Sequence, residues 1–186
     1  MLNELISQSE ALVFFTGAGI STNSGIPDFR GPKGIWKTSQ PIYFQDFVNS
    51  EEKRKESWER KFSNELNINK AKPNPGHQKI AEIMKKKGLS HLITQNVDNL
   101  HQESGVGDDR ITELHGNATY AKCLDCQLRY DLAELKESFL RTKEPPQCSE
   151  CNGLIKTATI SFGQAMPEEE MVIAQKKSIS CDLFIC

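Results

Sequence analysis

Short apolar runs that end at glycine or polar residues predict the strands of a parallel sheet. The first run, ALVFFT, covers residues 11–16, and two further runs cover 91–94 and 110–114. Between the first two runs, apolar residues recur at helical spacing over 77–87, and Gly88 ends that segment. Strand, helix and strand therefore alternate along the chain, which favours a parallel sheet covered by helices.

The rest of the pattern interrupts this alternation and then resumes it. Charged residues surround widely spaced apolar ones over 46–66 and predict a helix, whereas the glycines and prolines of 25–41 predict a loop that closes over a ligand. Residues 118–157 hold four cysteines and one helical stretch at 131–140. After them the pattern predicts a strand, a helix and a strand, at 158–162, 168–177 and 181–186.

The domain organisation follows from this interruption. The 186 residues are enough for one main core. We expect that core to be formed by residues 1–117 and 158–186, with a metal-binding module at 118–157 inserted in it. The last predicted strand stops without a turn or a cap, so we expect the chain to be truncated at its C-terminus.

The four cysteines of the insertion have the spacing of metal ligands. Two CxxC pairs, Cys123 with Cys126 and Cys148 with Cys151, place four thiolates on two turns, the ligand set that structural zinc prefers. An iron–sulfur site and four unrelated reduced cysteines are the alternatives. The insertion has few large apolar residues of its own, so we expect its fold to depend on the metal.

Charge and hydropathy exclude several classes of protein. The 23 basic and 25 acidic side chains give a formal net charge of -2, which leaves no excess of positive charge for a nucleic-acid backbone. No apolar run approaches the roughly 18 residues that a membrane-spanning helix needs, and the first ten residues lack the basic start of a signal peptide. We therefore expect a cytoplasmic protein that binds neither nucleic acid nor membrane.

A glycine loop follows the first predicted strand. Gly17, Ala18 and Gly19 resemble the start of a dinucleotide-binding loop, although the next glycine, Gly25, does not fit the spacing GxGxxG. A tight strand-to-helix turn is the alternative. Ser21 adds a donor that can cap a helix or bind a phosphate.

Polar side chains also follow the second and third predicted strands. Gln95, Asn96, Asp98 and His101 can bind ribose hydroxyls and a carboxamide, or they can cap a helix. His115 ends the third strand and, with a usual pKa near 6.5, is suited to accept a proton near neutral pH. In a parallel sheet these strand ends meet at one edge, so we expect the residues to converge.

Five segments in this order resemble the sirtuins, which are NAD-dependent protein deacylases. They are GAGIST at 17–22, GIPDFRG at 25–31, TQNVDNLH at 94–101, ELHG at 113–116 and the two CxxC pairs. The resemblance spans nearly the whole chain. It implies an α/β fold in which a Rossmann-like parallel sheet has helices on both faces and an inserted four-cysteine zinc-ribbon module.

The resemblance also implies a chemistry. NAD binds to the Rossmann-like domain, and an acyl-lysine protein substrate binds between this domain and the zinc module. The acyl oxygen attacks the ribose carbon as nicotinamide leaves, and a base helps a ribose hydroxyl attack the resulting imidate. The products are lysine, nicotinamide and O-acyl-ADP-ribose. The family implies NAD and zinc as cofactors, with zinc in a structural role.

Site roles follow from the same resemblance. His115 is the expected general base, and Asn96 and Asp98 are expected to take part in catalysis as well as in NAD binding. The other residues expected to bind NAD are Gly17, Ala18, Gly19, Ser21, Asp28, Phe29, Arg30 and Gln95. Those expected to contact the substrate are Ile160, Phe162 and Gly163, and the expected zinc ligands are Cys123, Cys126, Cys148 and Cys151.

The sequence departs from the family pattern in two places. Gln164 stands where many members have Glu, and the segments that follow 181–186 and hold the adenosine half of NAD are missing. The Tyr and Arg pair of members that prefer acidic acyl groups is absent around Trp58, so we expect an acetyl or another neutral acyl group. An NADase or ADP-ribosyltransferase and a catalytically silent, truncated binding module are the alternative functions.

Overall fold

Four parallel strands form the main sheet, in the order β3-β2-β1-β7. The computed structural model describes residues 2–29, 31, 34–37, 39–63 and 68–186. Its strands are β1 Leu12–Thr16, β2 His91–Thr94, β3 Ile111–Glu113, β4 Gly116–Cys123, β5 Arg129–Asp131, β6 Ile155–Thr159 and β7 Leu183–Ile185. Its α-helices are α1 Leu2–Gln8, α2 Phe44–Asn49, α3 Glu51–Ser63, α4 Pro75–Lys86, α5 Leu100–Glu103, α6 Leu132–Thr142 and α7 Glu168–Ser180.

Helices cover both faces of the main sheet, as the sequence predicts. Successive residues of β1 point to opposite faces, so Leu12 packs in one cluster with Ile80 and Met84 of α4. On the other face, Val13 packs in a second cluster with Ala174 of α7. The strand is apolar from Leu12 to Phe15 because both of its faces are buried, and its last residue, Thr16, is polar.

The second sheet is antiparallel and carries the four cysteines. Its order is β5-β4-β6, and β4 runs from the end of the main sheet into the insertion. Its core combines Phe139 and Ile155 with Trp58, which comes from α3. The insertion therefore shares its core with a helix outside 118–157. This agrees with the small number of large apolar residues in the insertion itself. The domain boundaries themselves stay a prediction.

Two predicted elements differ in the structure. The helix expected over 46–66 is divided into α2 and α3 at Ser50, whose Oγ accepts a hydrogen bond from Lys53 N at 3.2 Å and caps α3. The end of that prediction, from 64 to 66, lies outside the described residues. The strand expected over 158–162 begins and ends three residues earlier, as β6, because pairing with β4 sets its register.

Candidate active site

The polar ends of β1, β2 and β3 are joined by backbone hydrogen bonds. Thr16 pairs with Thr94, and Thr94 pairs with Glu113 across the parallel sheet. Beyond these pairs, Gln95 N donates to Thr16 O at 3.0 Å and Leu114 N donates to Thr94 O at 2.9 Å. The three loops that carry the predicted site residues therefore leave the same edge of the sheet.

The glycine loop opens a short 3-10 helix, Ala18–Ser24, directly after β1. An added Cβ at Gly19 would meet nothing within 4 Å, so the loop presents bare backbone on that side. At Gly17 an added Cβ would lie 3.6 Å from Gln95 Nε2, which places the amide of Gln95 against the loop. A glycine-rich backbone with the side-chain amide of Gln95 beside it fits a phosphate-containing ligand.

Ser21, Asn96 and Asp98 form one buried hydrogen-bonded cluster. Ser21 Oγ donates to Asp98 Oδ2 at 2.6 Å, and Asn96 Nδ2 donates to Ser21 Oγ at 3.2 Å and to Gly17 O at 3.1 Å. Asp98 Oδ1 also accepts a hydrogen bond from Leu100 N at 3.0 Å at the start of α5. Asp98 therefore binds the first N–H group of α5, whose N-cap is Asn99, and also holds the cluster.

Two threonines support this cluster together with His101, which the sequence pattern places among the candidate ribose-binding residues. Thr16 Oγ1 donates to Thr94 Oγ1 at 2.9 Å and lies 3.0 Å from His101 Nε2, while Thr94 Oγ1 accepts from Asn96 N at 3.0 Å. The Nδ1 atom of His101 is buried without a hydrogen-bond partner in the described structure. Burial, reinforced by the neighbouring His77, lowers the pKa of His101 to about 3, so its ring is neutral.

His77 is the second histidine under the glycine loop. Its Nε2 lies 3.4 Å from Ser21 Oγ, and its ring centroid lies 4.8 Å from that of His101. Burial lowers the pKa of His77, although the carboxylate of Asp98 opposes that shift. The only sequence signal for His77 is its place in a capping box with Asn74 at the start of α4.

His115 occupies the junction between β3 and β4. Its Nδ1 lies 2.9 Å from the carbonyl oxygen of Gln95. A carbonyl only accepts hydrogen bonds, so Nδ1 is the donor, and in the neutral ring Nε2 is the nitrogen that carries the lone pair. The next residue, Gly116, has φ 70°, and an added Cβ there would lie 2.0 Å from Ala158 O. Only glycine fits this position of the turn.

The predicted loop residues lie in a separate turn. Asp28 Oδ1 accepts a hydrogen bond from Gly31 N at 2.9 Å, and Asp28 O accepts from Ile35 N at 3.0 Å, so Asp28 closes its own turn. Phe29 is 37% exposed. Arg30 lies outside the described residues.

The predicted substrate segment is attached directly to the His115 junction. Ile160 N donates to His115 O at 2.8 Å, and Phe44 N donates to Phe162 O at 2.8 Å. The Phe162 side chain is exposed, and Gly163 has φ 78°. Gln164 Oε1 accepts from Ser161 N at 3.1 Å, so the amide at this position closes its own loop.

The two CxxC pairs fold into matching turns. Asn152 N donates to Cys148 O at 2.9 Å, and Gln127 N donates to Cys123 O at 3.2 Å. In both turns the residue after the second cysteine has a left-handed backbone, with φ 62° at Gln127 and 59° at Asn152. Such turns aim two thiol groups at one point.

The four sulfur atoms lie within 4.8 Å of one another. Cys123 Sγ is 3.5 Å from Cys151 Sγ, and Cys126 Sγ is 3.5 Å from Cys148 Sγ. Zinc–sulfur bonds of about 2.3 Å in a tetrahedron separate the sulfurs by about 3.8 Å, so the cluster fits a zinc site with four cysteine ligands. The Tyr130 hydroxyl donates to Cys148 Sγ at 3.0 Å and lowers the pKa of that thiol to about 6.

No helix within the described part of the chain is long and apolar enough to cross a membrane.

A parallel sheet with polar strand ends under a glycine loop, joined to a four-cysteine module, defines a nucleotide-binding α/β protein with a structural metal centre. The sequence profile of the Sir2 family matches residues 17–186. The chain belongs to that family, and the resemblance to sirtuins is confirmed.

Two bacterial relatives cover almost the whole chain. An NAD-dependent protein deacetylase of Rhodopseudomonas palustris is 47% identical over 184 residues, which are 99% of this chain and 73% of that protein. The NAD-dependent protein deacetylase 1 of Bradyrhizobium diazoefficiens is 49% identical over 184 residues, which are 99% of this chain and 72% of that protein. The chain thus spans nearly three quarters of the length of these relatives.

Solved structures share the fold. A Sir2 variant with a deacetylated p53 peptide and 3'-O-acetyl ADP ribose superposes with a TM-score of 0.84 at 34% identity, covering 98% of this chain and 73% of that one. A Sir2 complex with a p53 peptide and NAD+ has a TM-score of 0.82 at 35% identity, with coverage of 98% and 72%. The expected fold class is confirmed.

Proposed function

We propose that this chain is an NAD-dependent protein-lysine deacylase, which transfers the acyl group of a modified lysine to ADP-ribose and releases nicotinamide. The names of the two bacterial relatives support this activity, and so does the likeness to Sir2 complexes with peptide, NAD+ and an acetylated ADP-ribose. We assign acetyl or another neutral acyl group as the one removed and acyl-lysine proteins as the substrates.

The arrangement at His115 is the observation that carries this proposal. Its Nδ1 proton is engaged by Gln95 O, so Nε2 is the atom that can accept a proton. A neutral imidazole with one free nitrogen is the group that a base-catalysed step near neutral pH requires. His115 is also only partly buried, so a substrate hydroxyl can reach it.

The residues around it fit NAD. The open backbone at Gly19 and the 3-10 helix that follows suit the phosphates. In the buried cluster Ser21 donates to Asp98 and Asn96 donates to Ser21, so the oxygen atoms of Asn96 and Asp98 are the acceptors that we assign to the ribose hydroxyls. We assign Ala18, Gln95, Asp28, Phe29 and Arg30 to the same site. NAD supplies the ribose carbon that takes the acyl oxygen and the ADP-ribose that carries the acyl group away.

Each group of residues has its own role in the proposed reaction. His115 Nε2 removes a proton from a ribose hydroxyl, and the buried cluster holds that ribose in place because its hydrogen bonds fix Asn96 and Asp98 before any ligand arrives. Ile160, Phe162 and Gly163 are assigned to the peptide. Their backbone is tied to the base through the hydrogen bond from Ile160 N to His115 O.

Zinc has a structural role in this assignment. The four thiol groups would complete the shell of a zinc ion, which would leave no position for a substrate. Reduced zinc-binding thiols persist in a reducing compartment, and we propose a cytoplasmic location on that ground.

The test follows the fate of NAD. The chain is incubated with NAD and an acetyl-lysine peptide, and mass spectrometry measures O-acetyl-ADP-ribose and nicotinamide. We expect both products, and we expect His115→Ala to abolish O-acetyl-ADP-ribose while its zinc content and thermal midpoint stay at the wild-type values. The unmodified lysine peptide is the control. Free ADP-ribose in place of the acylated product would identify an NADase, and an ADP-ribosylated protein would identify a transferase.

A further inference from the structure

Two side chains bond to each other across the residue that carries the base. Glu113 and Asn117 stand two positions before and two positions after His115, and Asn117 Nδ2 donates to Glu113 Oε1 at 2.8 Å. We call these two residues the turn clamp. It joins the end of β3 to the start of β4, so it closes the turn in which His115 lies.

Both members of the turn clamp are held by further hydrogen bonds. Asn117 is 3% exposed, and its Nδ2 also donates to Asn99 Oδ1 at 3.0 Å. Its Oδ1 accepts from Thr119 N at 2.8 Å and from Thr119 Oγ1 at 2.6 Å. Glu113 Oε1 accepts a second bond, from Gln102 Nε2 at 2.9 Å. Asn117 thus uses both its donor and its acceptor atoms, which fixes the orientation of its amide.

The turn between the clamp residues has little freedom of its own. The φ of 70° at Gly116 and its close approach to Ala158 O restrict the backbone of the turn. The ring of His115 is then oriented by its bond to Gln95 O. If the clamp opens, the end of β3 and the start of β4 can separate, and the distance from His115 Nδ1 to that carbonyl increases.

We infer that Glu113 and Asn117 are positioning residues, which hold His115 in the turn so that Nδ1 bonds to Gln95 O and Nε2 faces the site. The inference rests on the proposed function, because that function makes His115 the base. The clamp contributes no atom to the reaction.

Two substitutions, each with nearly the same shape as the residue it replaces, distinguish a positioning role of the turn clamp from a packing role. Asn117→Asp replaces Nδ2 by an oxygen, which removes both donated hydrogens and sets that one oxygen against both Glu113 Oε1 and Asn99 Oδ1. Glu113→Gln keeps an oxygen that can accept from Asn117 and Gln102, so it is the matched conservative variant. Burial also raises the pKa of Glu113, so a neutral amide suits this position.

The kinetic test compares two steps of one reaction. Release of nicotinamide precedes the step that needs the base, so exchange of labelled nicotinamide into NAD reports the first step and O-acetyl-ADP-ribose reports the second. We expect Asn117→Asp to lower product formation at least about tenfold while exchange stays within about twofold of wild type. Glu113→Gln is expected to keep product formation within about threefold. The double variant restores a donor opposite Asp at position 117, and we expect it to recover part of the loss.

A spectroscopic test needs no activity. Imidazole 15N shifts, with His115→Ala to assign the signal, report which ring nitrogen carries the proton. We expect the Nδ1–H form of His115 to dominate in the wild type and in Glu113→Gln, and to give way to a mixture in Asn117→Asp. Where Asn117→Asp does not fold, Glu113→Ala is the second variant, because it removes the acceptor without adding charge.

The possible outcomes distinguish a failure of the turn-clamp inference from a failure of the proposed function. Wild-type exchange and product formation in Asn117→Asp overturn the inference, and so does an equal loss of both steps together with a lower thermal midpoint. An unchanged 15N signature in Asn117→Asp, or in Glu113→Ala where that variant replaces it, overturns it as well. A wild-type chain that forms no O-acetyl-ADP-ribose contradicts the proposed function instead, and the 15N comparison then decides on the clamp alone.

Discussion

Gly116→Ala is expected to damage both the fold and the site, because the new methyl group has no room. The added Cβ would lie 2.0 Å from Ala158 O, whereas real Cβ atoms keep at least 3.0 Å from such neighbours. The backbone of β4 or β6 therefore has to shift by about 1 Å or more. Both atoms in the clash belong to paired strands, so no side-chain rotation can relieve it.

The size of the effect follows from two contributions. A non-glycine residue with a left-handed backbone costs about 1–2 kcal/mol. The shift also breaks the 2.8 Å bond from Ile160 N to His115 O and weakens the pairing of Gly116 with Thr159, at about 1 kcal/mol for each hydrogen bond. We expect the free energy of unfolding to fall by about 3 kcal/mol. A 1 Å displacement of a reacting group lowers the rate about 100-fold.

Urea denaturation and the product assay check these values. Gly105→Ala is the matched control, because Gly105 has φ 99° but an added Cβ there meets nothing within 4 Å. The control is expected to lose about 1–2 kcal/mol and to keep its rate. If both alanine variants lose the same stability, or if Gly116→Ala keeps the wild-type rate, the close approach does not hold the turn and the reasoning is wrong.

Three further predictions use the same measurements. Removing zinc with a strong chelator is expected to shift the fluorescence of Trp58 to longer wavelength, because its ring is buried beside the cysteines. The control is Trp58→Phe, whose remaining signal comes from Trp36. Burial lowers the pKa of His91 from 6.5 to about 4. Between these two pH values the unfolded chain binds a proton at His91 that the native state does not bind. Stability should therefore fall as the pH drops through this range, less steeply in His91→Gln, as urea titrations would show. Asn74→Ala removes the cap of α4 and the bonds to Ile20 O and Ser24 Oγ; we expect a loss of about 1–2 kcal/mol and a higher KM for NAD.

The sequence pattern predicts the elements whose signal is local. The strand expected over 91–94 is β2 with the same bounds, and the apolar run that ends at the glycine loop is β1. The four cysteines also come together as their spacing predicts, because each CxxC pair closes its own turn. The division at Ser50 is not predicted, because apolar residues continue at helical spacing on both sides of it.

The supporting residues of the site are not predicted for a different reason. Asn117 bonds to Asn99, 18 positions away, and Thr16 bonds to Thr94, 78 positions away. A pattern of apolar and polar positions carries no information about which distant polar groups meet. Glu113 lies inside the ELHG segment, yet nothing in its neighbours indicates that its partner is Asn117.

The strands explain how a structural metal can influence a reaction in which it takes no part. β4 begins at Gly116, next to His115, and ends at Cys123, one of the four proposed zinc ligands. β6 returns from the second cysteine pair to the residue before Ile160. The two strands pair with each other at both ends, at Gly116 with Thr159 and at Cys123 with Ile155. Since paired strands in a packed core move together, unfolding at the cysteines is expected to separate β4 from β6 and to release the backbone around His115, the proposed base. Chelation is therefore expected to stop product formation because it displaces His115. The Asn117→Asp variant is expected to displace the same residue by opening the turn clamp.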